Sequence, residues 1–191
     1  MTVKKILFSF SLLILFLPEV KCQEIDLKKV KINNDVKVSL PEDFVQMTEE
    51  DIRQKYVSYR DPIALYTSPN RTVDFGVNLS VTHWKPGDLK MMQEFYENSI
   101  RTLYTEVNFI KKDIETINDI PYAVFEFEST VEGESNAINQ TKPISKYTLI
   151  HYAIVNNKTI LFNFSTPLKD KEKWQPIAHE IMQSIKIKKT L

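Results

Sequence analysis

The sequence predicts an α+β fold, an antiparallel β-sheet with helices packed on it, and three observations carry that prediction. The first is a stretch in which Ile144–Val155 and Thr159–Thr166, both rich in β-branched and aromatic residues, flank Asn156-Asn157. Asn tolerates positive φ better than other residues bearing a Cβ, so the asparagines read as a two-residue hairpin turn. Closing the hairpin there sets Ala153 opposite Ile160, His151 opposite Phe162 and Leu149 opposite Phe164. The other face carries Ile150, Tyr152, Ile154 and Leu161 among Thr and Asn, which suits a sheet covered on both sides. The second observation is a stripe of Trp174, Ile177, Ala178, Ile181, Met182 and Ile185 at helical spacing over residues 170–185. The third is an element order, β-α-ββ-α-ββ-ββ-α, whose strands are joined mainly by hairpins; that order calls for antiparallel pairing.

Taken in order, the chain opens on an address. Lys4 and Lys5 precede the apolar run Ile6–Leu17, and Pro18 ends it. That run is too short to cross a bilayer comfortably and has the flanks of a secretory signal, so residues 1–22 are expected to be a signal peptide cut after Cys22. The alternative is a lipid anchor at Cys22. Against it stand Glu19, Val20 and Lys21, where a lipoprotein signal wants Leu and then small neutral residues. Cys22 is the only cysteine, so a mature chain starting at Gln23 has neither thiol nor disulfide. At about 170 residues it can bury enough apolar surface without such staples.

Residues 23–34 are polar and Lys-rich and read as a flexible tether with room for a short edge strand; residues 35–191 read as a single domain. Val36–Leu40 alternates apolar and polar residues and stops at Pro41. Thr48 as N-cap, Asp51 three residues on and Met47 placed against Ile52 mark a short helix ending near Tyr56. Ile63–Thr67 and Val73–Trp84 form a hairpin around Ser68–Arg71. On its second strand Val73, Phe75, Val77, Leu79 and Val81 face one way, while Asp74, Gly76, Asn78, Ser80 and Thr82 face the other. Pro86-Gly87 breaks that strand and Asp88 caps a helix to about Thr105. Its stripe is Leu89, Met92, Phe95/Tyr96, Ser99/Ile100 and Leu103. Val107–Ile117 and Tyr122–Val131 make a third hairpin around Asn118–Pro121, and Glu132–Pro143 is expected to be structureless.

Charge excludes some partners. Lys+Arg and Asp+Glu both number 25, and losing Lys4, Lys5, Lys21 and Glu19 turns the balance slightly acidic. Nothing pulls the chain toward nucleic acid or an anionic membrane.

No arrangement for catalysis, cofactor or metal emerges. His151 lies among apolar strand residues and reads as a core imidazole hydrogen-bonded to a neighbour. His179-Glu180 begins like a zinc-protease helix but lacks the second His four residues on. With three glycines, Gly76, Gly87 and Gly133, no phosphate-cradling loop can be built. The chain is therefore expected not to be an enzyme. His83-Trp84-Lys85, beside the Pro-Gly turn, is the candidate contact for a ligand or partner, with Tyr56 and Tyr59 as a neighbouring aromatic surface. The plainer reading is that Trp84 covers the core edge beside the following helix.

Leu40-Pro41-Glu42-Asp43-Phe44 closing the opening strand, Trp84-Lys85-Pro86-Gly87-Asp88 before a helix, and Met182-Gln183-Ser184-Ile185-Lys186-Ile187 ending the last helix together resemble the PsbP-like superfamily. The resemblance spans about Val36 to Ile187 and, given export, points to its bacterial exported members of the DcrB type. It implies a PsbP-like α/β/α sandwich and a non-enzymatic binding or accessory role in the periplasm or envelope. It carries no functional residue across. The expected partner is an envelope protein; the alternative is a small apolar ligand held between sheet and helix.

Overall fold

The computed structural model describes residues 25–55, 61–133, 135–136, 139–140 and 142–188. In chain order the elements are β1 (Leu27–Lys31), β2 (Val36–Pro41), β3 (Val45–Gln46), α1 (Glu49–Lys55), β4 (Ala64–Thr67), β5 (Asp74–Leu79), α2 (Leu89–Leu103), β6 (Glu106–Ile117), β7 (Ile120–Val131), β8 (Ser135–Asn136), β9 (Asn139–Gln140), β10 (Ile144–Val155), β11 (Lys158–Pro167), α3 (Lys171–Gln183) and β12 (Lys186–Ile187). Seven strands form one sheet in the order β3-β4-β5-β11-β10-β7-β6, with every pairing antiparallel.

Turn chemistry sets the registers. Asn156 and Asn157 adopt φ of 48° and 60°, and β10 pairs β11 with Ala153 opposite Ile160, His151 opposite Phe162 and Leu149 opposite Phe164. The β6–β7 turn is tighter than its four-residue expectation. Asn118 and Asp119, at φ of 49° and 63°, close it alone, and Ile117 pairs with Ile120. Pro121 enters the strand because it sits one residue outside the ladder to β10, which starts at Tyr122 opposite Ala153, so its missing N–H breaks no bond there.

Alternation along the strands separates two cores. On one face Phe75, Val77, Tyr122, Val124, Leu149, Phe162 and Phe164 meet Trp174, Ala178, Ile181 and Met182 of α3. Val36, Val38 and Leu40 of β2 join this core, but β2 leaves the main sheet to form a second, three-stranded one in the order β1-β2-β12. Within the stretch expected as a tether, Leu27–Lys31 is therefore an edge strand, because Leu27 and Val30 have an apolar surface to rest on. On the opposite face Ala123, Phe125, Phe127, Ile150 and Tyr152 meet Leu89, Met92 and Ile100 of α2. Tyr96 stacks on Tyr152 with ring centroids 4.0 Å apart.

Three further expectations are revised. β5 stops at Leu79 rather than Trp84, leaving Leu79 40% and Val81 64% exposed. Ser80 and Thr82 divert the backbone: Thr82 N–H donates to Ser80 Oγ at 3.1 Å, and Ser80 Oγ bonds the Tyr96 hydroxyl at 2.6 Å. The stretch 132–143 contains the two-residue ribbon β8–β9. His151 is buried, yet its Nδ1 has no hydrogen-bond partner among the described residues. Its ring rests against Tyr122, centroids 5.7 Å apart. Elsewhere α1 keeps its capping box, with Thr48 N–H donating to Asp51 Oδ2 and Asp51 N–H to Thr48 Oγ1.

Candidate functional site

α2 covers only half of its face of the sheet. Cross-strand register explains where it stops. One row runs Thr67–Asp74–Ser165–Thr148–Phe127, and the next runs Leu65–Gly76–Asn163–Ile150–Phe125. A third runs Asn78–Leu161–Tyr152–Ala123. Phe127, Phe125 and Ala123 of β7, with Ile150 and Tyr152 of β10, are apolar and share a core with α2. Asp74, Ser165, Thr148, Asn163 and Asn78 instead present carboxylate, hydroxyl and amide groups, and an apolar helix face gains nothing by covering them.

The uncovered rows form the floor of an open groove of about 510 Å³, within the usual size range of small-molecule sites. Tyr104, just beyond α2, walls one side; Lys55 at the end of α1 and Arg71 and Thr72 of the β4–β5 turn wall the other. Gly76 contributes no side chain to the floor because Leu65 takes that space: a Cβ at 76 would lie 2.8 Å from Leu65 Cδ2. Asn163, mid-floor, has its Oδ1 buried without a hydrogen-bond partner among the described residues.

Charges gather at one end of the groove. Lys146 stands at the rim opposite Pro167, next to Thr148 and Ser165 on the same face. Lys55 Nζ lies 2.7 and 2.9 Å from the two oxygens of Asp74, and Thr67 Oγ1 donates to Asp74 Oδ1 at 2.6 Å. Arg71 pairs with Asp51 at 3.3 Å. It holds φ of 60°, uncommon for a residue with a long side chain. The loop around it sustains this, with Arg71 N–H donating to the Ser68 carbonyl and Asn70 Oδ1 accepting from Ser68 Oγ and Thr72 Oγ1.

Of the residues singled out in sequence, His83 and Lys85 are exposed, whereas Trp84 is half-buried against Phe95, ring centroids 5.6 Å apart. Its Nε1 is buried without a partner among the described residues. Tyr56 and Tyr59 lie outside the described residues, as do residues 1–22. The groove was half legible: the polar edges of β5 and of β10–β11 could each be read by alternation, but nothing local says that β5 pairs with β11.

A second polar cluster went unread. Glu126 of β7 points into the α3 face, where one oxygen, Oε1, accepts from Tyr147 Oη at 2.8 Å and Gln175 Nε2 at 2.6 Å, with His179 Nε2 beside it. Its sequence signal is a carboxylate following Tyr122 and Val124 on an alternating strand face. Among the described residues no three His, Cys, Asp or Glu side chains gather as a metal site, and no helix is long and apolar enough to cross a membrane.

No family model matches the chain, and no curated protein matches it by sequence. Solved structures do match by fold. Cyanobacterial PsbP (CyanoP) from Synechocystis sp. PCC 6803 superposes with TM-score 0.58 at 9% identity, over 86% of this chain and 94% of that one. LpqN of Mycobacterium tuberculosis, described as involved in cell envelope biogenesis, gives 0.53 at 11% identity, over 85% and 91%. The Ran-binding protein Mog1p of Saccharomyces cerevisiae gives 0.53 at 12% identity, over 86% and 96%. The fold is PsbP-like.

Proposed function

We propose that this chain is an exported, non-enzymatic PsbP-like protein of the DcrB type that acts as a binding or accessory subunit in the cell envelope, with the groove as its contact surface. One observation carries the reading: α2 leaves the polar groups of β5, β11 and Thr148 open, with Asn163 Oδ1, buried and without a partner among the described residues, at their centre. Export is supported by Lys4, Lys5 and the apolar run Ile6–Leu17, and by the envelope role attached to LpqN. Mass spectrometry of the native N-terminus tests it: Gln23 at the start supports cleavage, a lipidated Cys22 makes the chain an anchored envelope protein, and an intact Met1 refutes export.

The binding reading is tested by affinity capture from envelope extract with the native chain and with Asn163→Lys, which places a long side chain across the floor. Reproducible partners lost in the variant, at unchanged melting temperature, support the groove. The same partners with both proteins, or none with either, reject it. His83 and Lys85 remain a second proposed contact, supported by their exposure beside Trp84 and by the exposed Phe95 and Met91 of α2. The carrier of a small apolar ligand is the runner-up, supported by Tyr104, Ile150, Leu161 and Pro167 in the groove lining. Organic extraction of the purified protein followed by mass spectrometry tests it.

A further inference from the structure

Resting on the reading of the groove as a binding surface, we infer that it takes a small amphiphilic organic anion. The acidic head lies at the Lys146 end and the body runs toward Ile150 and Leu161. The register makes the groove asymmetric. Lys146 and Pro167 form its outermost row, Thr148 and Ser165 the next, and Asn163 with Ile150 the one after, followed by Leu161. Cations, hydroxyls and the Lys55-paired Asp74 carboxylate therefore sit at one end, and apolar side chains, relieved only by amides, at the other.

The sign of the head group follows from which charges are already engaged. Asp74 is held by Lys55 and Thr67, and Asp51 by Arg71 and by the Thr48 backbone, so neither carboxylate is open to a cation. Lys146 is exposed at the rim and forms no ion pair among the described residues. A carboxylate or phosphate placed there gains a charge-assisted bond from Lys146 and has the Ser165 and Thr148 hydroxyls as further donors. A quaternary ammonium in the same place meets Lys146, which no carboxylate offsets among the described residues, and is repelled. Asn163, whose Oδ1 is buried without a partner among the described residues, borders the path of the ligand body opposite Ile150.

The test uses the protein as exported from its host, with octanoate and octyl phosphate as probes and octanol and octyltrimethylammonium as controls, followed by amide NMR titration. The expected result is saturable shifts at Lys146, Thr148, Asn163 and Ser165 for the two anions, at least about tenfold tighter than for either control. Lys146→Glu, at an exposed position, lowers the anion affinity about tenfold or more without moving the melting temperature. Octanoate binding better than octyl phosphate assigns a carboxylate head, and the reverse order a phosphate head. Equal binding of the controls, shifts centred away from the groove, or no anion binding at millimolar concentration overturns the inference. If the anions fail while Asn163→Lys still abolishes partner capture, the ligand class falls and the groove reading stands. If the anions bind and Asn163→Lys leaves capture unchanged, the groove reading falls as a partner surface and the ligand class stands.

Discussion

Glu126 Oε1, on a side chain only 3% exposed, lies 3.2 Å from Nε2 of His179, whose own side chain is 43% exposed. The contact ties β7 to α3 through a buried carboxylate. Burial alone would raise the Glu126 carboxyl, but the hydrogen bonds from His179, Gln175 and Tyr147 outweigh it and hold it at about 2. The same hydrogen bond raises His179 above its ordinary value.

The signs define a window for this pair. A carboxyl lowered on folding contributes stability above its unfolded value and loses it as pH falls toward the folded one. An imidazole raised on folding contributes fully below its unfolded value and loses it as pH rises through the folded one. The pair is therefore strongest between the ordinary carboxyl and imidazole values, 4.5 and 6.5. Glu126→Gln is expected to return the His179 titration toward its ordinary value and to cost about 2 kcal/mol at mildly acidic pH. Solvent screens the exposed imidazole, so most of that loss comes from the buried carboxylate's hydrogen bonds. Histidine NMR titration with urea denaturation checks both, and an unmoved His179 sinks the pairing.

His151 pulls in the opposite direction. Burial lowers its imidazole to about 3, so the folded state resists a proton that the unfolded chain takes up below its ordinary value. Stability is therefore expected to fall as pH drops below that value, by up to about 1.4 kcal/mol per pH unit. In His151→Leu the acid limb of a melting-temperature profile should flatten. A limb as steep as the native one assigns the loss to other groups.

Gly76→Ala is expected to destabilise by about 1–3 kcal/mol, because the added methyl meets Leu65 Cδ2 at 2.8 Å and Leu65 is itself buried. Combining it with Leu65→Val should recover part of the loss. A double-mutant cycle read by chemical denaturation measures that coupling, and strict additivity would show that the two side chains do not compete for one space.

Asn157→Gly is expected to stabilise the chain by about 0.5–1 kcal/mol, since residue 157 sits at φ of 60° in a two-residue hairpin turn where Gly bears no Cβ strain. Asn157→Val should cost about 1–2 kcal/mol for the same reason. Equal melting temperatures for the two variants would contradict the turn geometry.

The sequence alone determined the local and the periodic. Asn156-Asn157 with its flanking alternation set the β10–β11 register, Thr48 and Asp51 set the start of α1, and the Trp174–Ile185 stripe set the buried side of α3. These are short-range properties, decided by backbone sterics and by side chains a few positions apart. Tertiary structure decided what depends on distant pairing. That β5 lies beside β11, that β2 leaves for a second sheet, and that Glu126 meets His179 all join residues far apart in the chain. The groove belongs to this second class: it exists because the row from Asp74 to Thr148 is polar across three strands, and no helix gains free energy by covering it.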